Sequence, residues 1–188
     1  FAFEEMLHVR RQLVGRRVPA CAVLVDRLHH DPIEVAADQA GQAGGFEHSI
    51  RLKEMASIRG EEQTKAAAEV GVTALRFLGF MDGTVEVTME LRHDISLIIR
   101  QVRPQVVITQ SPLRNLGSTY GSHPDHTATG EATMCAVYPD ARNPFAFPGL
   151  PCAEVEDWKV QEVWIQAGPM GGNPDLADTI ARLQAFEQ

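Results

Sequence analysis

The period of the hydrophobic positions changes several times along the chain. Leu91, Ile95, Ile98, Ile99 and Val102 recur at helical spacing and predict an amphipathic helix ending near Arg103-Pro104. Val106-Val107-Ile108-Thr109 follows as a continuous apolar run, the pattern of a strand buried on both faces. Upstream, Met55 to Val70 is built from strong helix formers, and Gly71 is placed to stop the helix. Leu75 to Phe80 is short, apolar and aromatic, and predicts a strand closed by the Asp82-Gly83 turn. Beyond a polar loop from Gln110 to His123, Ala128, Ala132 and Ala136 recur every four residues and predict a helix over Thr127–Val137. Val160–Ile165 predicts a further strand, and Cys21–Val25 is a strand-sized apolar run.

Helix, strand, helix, strand, loop, helix is the grammar of an α/β fold with a mainly parallel sheet. The length of 188 residues fits a single domain. Ligands of such sheets bind beyond the carboxyl ends of the strands. The loop after Thr109 is therefore where chemistry is expected. Residues 1–40 resist this parsing, and residues 139–188 are rich in Pro and Gly and predict loops around one strand and a terminal helix.

Composition narrows the classes. With 44% hydrophobic and 22% charged residues the chain is neither a disordered nor a collagen-like polymer. No apolar run reaches the ~20 residues of a membrane span, so a membrane partner is not expected. Phe1–Arg11 carries Glu4 and Glu5 and shows no signal-peptide pattern. A net charge of −8 makes nucleic acid a poor partner, because phosphate binding requires clustered Lys and Arg. Arg10, Arg11, Arg16 and Arg17 do cluster, and a solvated helix face accounts for them. Cys21, Cys135 and Cys152 form no metal or disulfide spacing, which points to a reducing, cytoplasmic setting.

The loop ends in Gly121-Ser122-His123-Pro124-Asp125-His126, two imidazoles and a carboxylate within four residues. Histidine is the commonest metal ligand and titrates nearest neutral pH. Proline and aspartate here also suit a helix start. A capped helix with incidental histidines would explain a lone His. The pair, after a buried strand and a long polar loop, points to a site. No Gly-x-Gly-x-x-Gly and no Gly-x-Ser-x-Gly occurs, so neither a dinucleotide site nor a serine hydrolase is supported.

From about Gly41 to Ile165 the chain resembles the PIG-L/LmbE-like N-acetylglucosaminyl deacetylases. The resemblance rests on an ordered set: Gly41-Gln42-Ala43-Gly44-Gly45-Phe46, Arg59-Gly60-Glu61-Glu62, Phe77 to Gly83, Arg103-Pro104-Gln105-Val106-Val107, His123-Pro124-Asp125-His126 and Tyr138 to Pro144. Ala181 to Glu187 is similar to the family's terminal helix. The resemblance implies a Rossmann-like three-layer fold. It implies a hydrolase dependent on Zn²⁺, or another divalent metal, that removes the N-acetyl group from a GlcNAc-containing small molecule or glycoside. His126 would be a metal ligand. His123 would steady the oxyanion and protonate the leaving amine, and Asp125 would orient an imidazole. Arg59 and Asp82 would hold the sugar. A homo-oligomer is compatible with this reading.

The family's first metal motif, His-Pro-Asp-Asp, is absent, and residues 1–40 do not resemble the family. Asp26, His29, His30 and Asp31 follow the apolar run Cys21–Val25 and are the local candidates to complete a metal site with His126, with an exposed turn as the plain alternative. Only about ten residues separate His30 from Gly41, too few for a helix and a further strand. A second reading is therefore a non-catalytic sugar-binding or oligomer-forming α/β relic. A metal phosphohydrolase is a third, and it lacks further ligands. Trp158, Trp164 and Cys135 are assigned to packing, His93 to a charged, inert helix face, and His48 to a substrate contact or none. Phe145 and Phe147 lie in a loop that either covers the site or meets another copy.

Overall fold

The computed structural model describes residues 21–25, 32–38, 52–69, 72, 74–116 and 122–166. Five strands form one sheet: β1 (Cys21–Val25), β2 (Pro32–Asp38), β3 (Ala74–Phe80), β4 (Val106–Gln110) and β5 (Glu162–Gln166), in the spatial order β3-β2-β1-β4-β5. The helices are α1 (Leu52–Glu69), α2 (Met89–Val102) and α3 (Pro124–Val137).

The expected parallel sheet holds for four of the five strands. β2 is parallel to β3 and β4 to β5, while β1, in the centre, is antiparallel to both its neighbours. Chain length explains the exception. Only residues 26–31 join β1 to β2, and a parallel pair needs a crossover of about a dozen residues or more. A hairpin is the pairing this stretch can reach, and Val25 pairs with Pro32 at its closed end. Before Gly41 the described residues thus form two antiparallel strands, β1 and β2.

α2 is set by its ends as well as by its stripe. The Thr88 hydroxyl accepts from the Leu91 N–H at 3.1 Å and caps the first turn. Arg103 closes the helix in the left-handed conformation at φ 54°, its N–H bonding the Ile99 carbonyl at 2.8 Å. Pro104 follows, where a helix cannot continue. Leu91, Ile95, Ile98 and Ile99 are buried and pack with Val85, Val107, Ala132, Ala136, Ala141 and Val160. Val106 and Val107 are both fully buried although successive strand side chains face opposite ways, so β4 is covered on both sides.

α3 lies against β4 at close range. A Cβ on Gly130 would stand 2.5 Å from the Gln110 carbonyl oxygen and 2.9 Å from the Pro112 nitrogen. Glycine is therefore what allows this helix to approach the end of β4. α3 begins three residues earlier than the alanine spacing predicts, because the cap is His123 and Pro124 occupies the first helical position.

Beyond α3, residues 138–155 are organised from within by a charge. Arg100 is fully buried, and its guanidinium donates to the carbonyls of Ala141, Val155, Asp140 and Asn143 at 2.6–3.3 Å. Arg92 makes a two-pronged pair with the Asp140 carboxylate, both bonds 2.9 Å. The Trp158 indole N–H bonds the Pro104 carbonyl at 2.7 Å, consistent with its assignment to packing. His93 departs from the exposed face expected of it. It is largely buried, with Nδ1 2.9 Å from the Asp94 carboxylate and its ring edge-on to Phe147 at 5.2 Å. Phe147 is buried in this contact, whereas Phe145 is exposed.

Candidate active site

Two loops meet at the carboxyl edge of the parallel strands. One follows β3 and carries Met81, Asp82 and Gly83. The other leads from β4 into α3 and ends in Ser122-His123-Pro124-Asp125-His126. The joint between them is Asp125. Its carboxylate is about 1% exposed and accepts from the Gly83 N–H at 2.6 Å and the Val85 N–H at 3.2 Å. The start of α3 thereby grips the backbone beside Asp82, across more than forty positions of sequence. Both bonds are charge-assisted and buried, and therefore among the stronger ones. The sequence resemblance gives Asp125 an imidazole to orient; the partners described for it are backbone amides.

His123 caps α3, its Nδ1 accepting from the Asp125 N–H at 3.3 Å. An accepting Nδ1 leaves the ring proton of neutral His123 on Nε2. The ring itself is exposed. The His126 ring stands 5.5 Å from it, centroid to centroid, with the planes at 55°. His126 is half-buried, and burial pushes its pKa below the ordinary 6.5. The neighbouring His123 acts in the same direction, while Asp125 and Asp82 oppose it. His126 is thus biased to the neutral imidazole, the form that offers a lone pair to a metal or a proton.

His123, Asp125, His126 and Asp82 are brought together. Arg59 stands on α1, and the partner described for it is Glu62 on the same helix, at 2.8 Å. Gly41 to Phe46, His48, Asp26, His29, His30, Asp31 and residues 181–187 lie outside the described residues. The described end of β1 bears on the metal question. Val25 pairs with Val106, the first residue of β4, so β1 ends at the sheet edge opposite the one carrying Asp82 and His126. Among the described residues no three His, Cys, Asp or Glu side chains converge to hold a metal ion. Catalytic zinc takes three protein ligands. The described residues by themselves do not make the zinc site that the sequence resemblance implies.

Sequence reasoning missed Ser122. Its buried hydroxyl accepts from the Asn115 N–H at 2.7 Å and ties the base of the loop next to His123. A serine in a polar loop gives no signal of that role.

A mainly parallel sheet, with paired imidazoles and a carboxylate at its carboxyl edge, is of the Rossmann-like α/β class. The chain belongs to the PIG-L family: the family described as GlcNAc-PI de-N-acetylase matches residues 20–137. It is 32% identical over 110 residues to a probable N-acetyl-alpha-D-glucosaminyl L-malate deacetylase 2 of Bacillus anthracis, covering 56% of this chain and 46% of the relative. Among solved structures it is similar to N,N'-diacetylchitobiose deacetylase from Pyrococcus horikoshii, with a TM-score of 0.63, 20% identity and coverage of 82% of this chain and 58% of that one. It also resembles GalB, the 4-carboxy-2-hydroxymuconate hydratase of Pseudomonas putida, with a TM-score of 0.55, 17% identity and coverage of 69% and 50%. Likeness at these identities shows the fold alone, and GalB shows that this fold carries more than one chemistry. The chain spans about half the length of the curated relatives it matches.

Proposed function

We propose that this chain is an N-deacetylase that hydrolyses the acetamido group of a GlcNAc-containing small molecule or glycoside. One observation carries the reading. In a PIG-L family domain, His123 and His126 stand side by side at the start of α3, on a loop that Asp125 locks to the Asp82 segment. In the reaction water adds to the acetyl carbonyl and the C–N bond breaks, giving acetate and a free amine. His123, with its proton on Nε2, would donate a hydrogen bond to the carbonyl oxygen as it gains charge, and the proton released by the attacking water would go to the departing nitrogen. Asp82, one residue from the locked Gly83 N–H, would bind sugar hydroxyls, with Arg59 the second sugar contact. Asp125 would serve as the positioning group.

Dependence on zinc, or another divalent metal, is the finer part of the proposal. His126 would be one ligand, and the others would come from outside the described residues. The metal would supply a bound water of lowered pKa and polarise the carbonyl. Among the described residues no helix is long and apolar enough to cross a membrane. We further infer a single domain over residues 1–188 and a cytoplasmic setting; nucleic acid and membranes are not among the proposed partners.

A free-amine assay on methyl N-acetylglucosaminide, paired with elemental analysis, tests the reading. Wild type should release amine and hold about one divalent ion per chain. His123→Ala should lose roughly 10²–10⁴-fold in turnover, and His126→Ala should lose the metal. The second reading, a sugar-binding relic, rests on the absence of the His-Pro-Asp-Asp motif from the sequence. A wild type that binds the sugar, holds no metal and releases no amine would establish it.

A further inference from the structure

The segment that carries Asp82 is held more tightly than a surface turn needs to be. The Met81 carbonyl accepts from the Thr84 N–H at 3.1 Å and from the Thr84 hydroxyl at 2.9 Å, closing a turn with Asp82 and Gly83 at its centre. Gly83 has φ 87°, and turns with a left-handed third residue favour glycine there. A Cβ on Gly83 would meet nothing within 4 Å, so the backbone conformation is what demands glycine. The Gly83 N–H is in turn the group that the Asp125 carboxylate holds at 2.6 Å.

The turn is therefore fixed from two sides. Thr84 closes it from within, and Asp125 docks it on the first turn of α3. Val85, the next residue, is buried in the core, and its N–H completes the Asp125 pair at 3.2 Å. Thr84 itself is exposed, and the partner described for its hydroxyl is the Met81 carbonyl. The clamp leaves Asp82 little room to move relative to His126, on which its charge acts. An exposed hydroxyl bond adds little to the stability of a fold. A group that must meet a sugar hydroxyl does gain from being placed before the ligand arrives.

We propose that Gly83 and Thr84 are positioning residues for Asp82, holding it beside the imidazoles so that it accepts from a hydroxyl of the N-acetylated sugar without rearrangement. The inference rests on the deacetylase reading for the sugar alone, and not for the hydrolysis. With alanine at position 83 the left-handed conformation is disfavoured. The peptide between Asp82 and residue 83 would rotate, its N–H would turn from Asp125, and Asp82 would shift with it. Without the Thr84 hydroxyl the Met81 carbonyl keeps one of its two bonds, so the turn loosens and the shift is smaller.

Titration calorimetry with methyl 2-acetamido-2-deoxy-β-D-glucopyranoside tests this, with amine release and urea stability followed separately. Gly83→Ala should weaken sugar binding about 10-fold, since moving the turn relieves the strained alanine. Thr84→Val should weaken it about 3- to 10-fold, and Thr84→Ser should restore it to within about 2-fold. At saturating sugar none of these should lower kcat by more than about 3-fold. Gly149→Ala is the matched control. Gly149 also has a positive φ, 76°, and open space around it, but stands in the loop beyond α3. That variant should lose a similar amount of stability with sugar affinity unchanged. In an Asp82→Ala background Gly83→Ala should weaken binding no further. A sugar affinity that both turn variants leave unaltered overturns the proposal. So does a full Gly83→Ala effect in the Asp82→Ala background, because the turn would then act on something other than Asp82. A wild type that does not bind the sugar overturns it as well. Loss of binding through Asp82 in a chain that releases no amine would leave the positioning standing and defeat the deacetylase reading alone.

Discussion

The two ends of α3 are anchored by opposite means. At its start a buried carboxylate, Asp125, collects N–H groups from the loop after β3. Just past its end a buried guanidinium, Arg100 of α2, supplies protons to the carbonyls of residues 140–155. Each charge is satisfied chiefly by backbone dipoles, and each fixes a loop with no regular ladder of its own. The difference lies in what is left over. At the far end the neighbouring polar groups are consumed internally, Asp140 by Arg92 and Asn143 by Arg100. At the near end the anchor leaves His123 exposed and His126 half-buried. The far end uses these polar groups within the fold, and the near end leaves two imidazoles accessible.

The comparison can be tested most severely at Arg100. Arg100→Met keeps the apolar stem but leaves four carbonyls short of a donor. It should destabilise the fold by about 3–5 kcal/mol in urea titration, more than most single changes. Activity per folded molecule should change little. Gly130→Ala attacks the middle of α3, where the new methyl meets the Gln110 carbonyl. A cost of about 1–3 kcal/mol in the same assay is expected, because the neighbour is backbone and yields reluctantly.

Asp125→Asn probes the near end. One backbone N–H would face the amide NH₂ in place of an oxygen, a loss of about 1–3 kcal/mol. Unlike the change at Arg100, it should also raise the KM of the folded enzyme, because the Asp82 loop is released. Equal effects of both variants on KM would erase the distinction between the two ends. The smallest effect concerns pH. His126 has a lowered pKa in the fold, so below about pH 6.5 the unfolded chain takes up a proton that the folded chain resists. The contribution is complete above the unfolded value and is lost as pH falls toward the folded one. A shallow drop in urea midpoint between about pH 6.5 and 5 should appear in wild type and flatten in His126→Gln.

Much of this architecture was legible in residue order. The stripe Leu91 to Val102, the run Val106–Thr109 and the alanines of α3 each encode their element through contacts within a few residues. The motif at residues 123–126 was legible for the same reason, since cap, proline and imidazoles are contiguous. What escaped has the opposite character. Arg100 belongs to a well-predicted helix, yet its burial depends on carbonyls forty or more residues away. Asp125 was legible as a site residue but not as a latch, because Gly83 and Val85 offer only amides, which every residue has. His93 passed for a surface residue because Phe147, its cover, comes from an irregular loop.

By itself, then, the sequence determined the α/β class, the helices and strands of residues 52–137 and the chemistry available at His123 and His126. Period and motif are local properties of a chain. The tertiary structure decided the direction of β1, the burial of Arg100 and the locking of the Asp82 loop onto α3. Each of these depends on which distant backbone groups find one another once water is excluded. Strand pairing and buried hydrogen bonds are satisfied between segments, and no single segment records its partner.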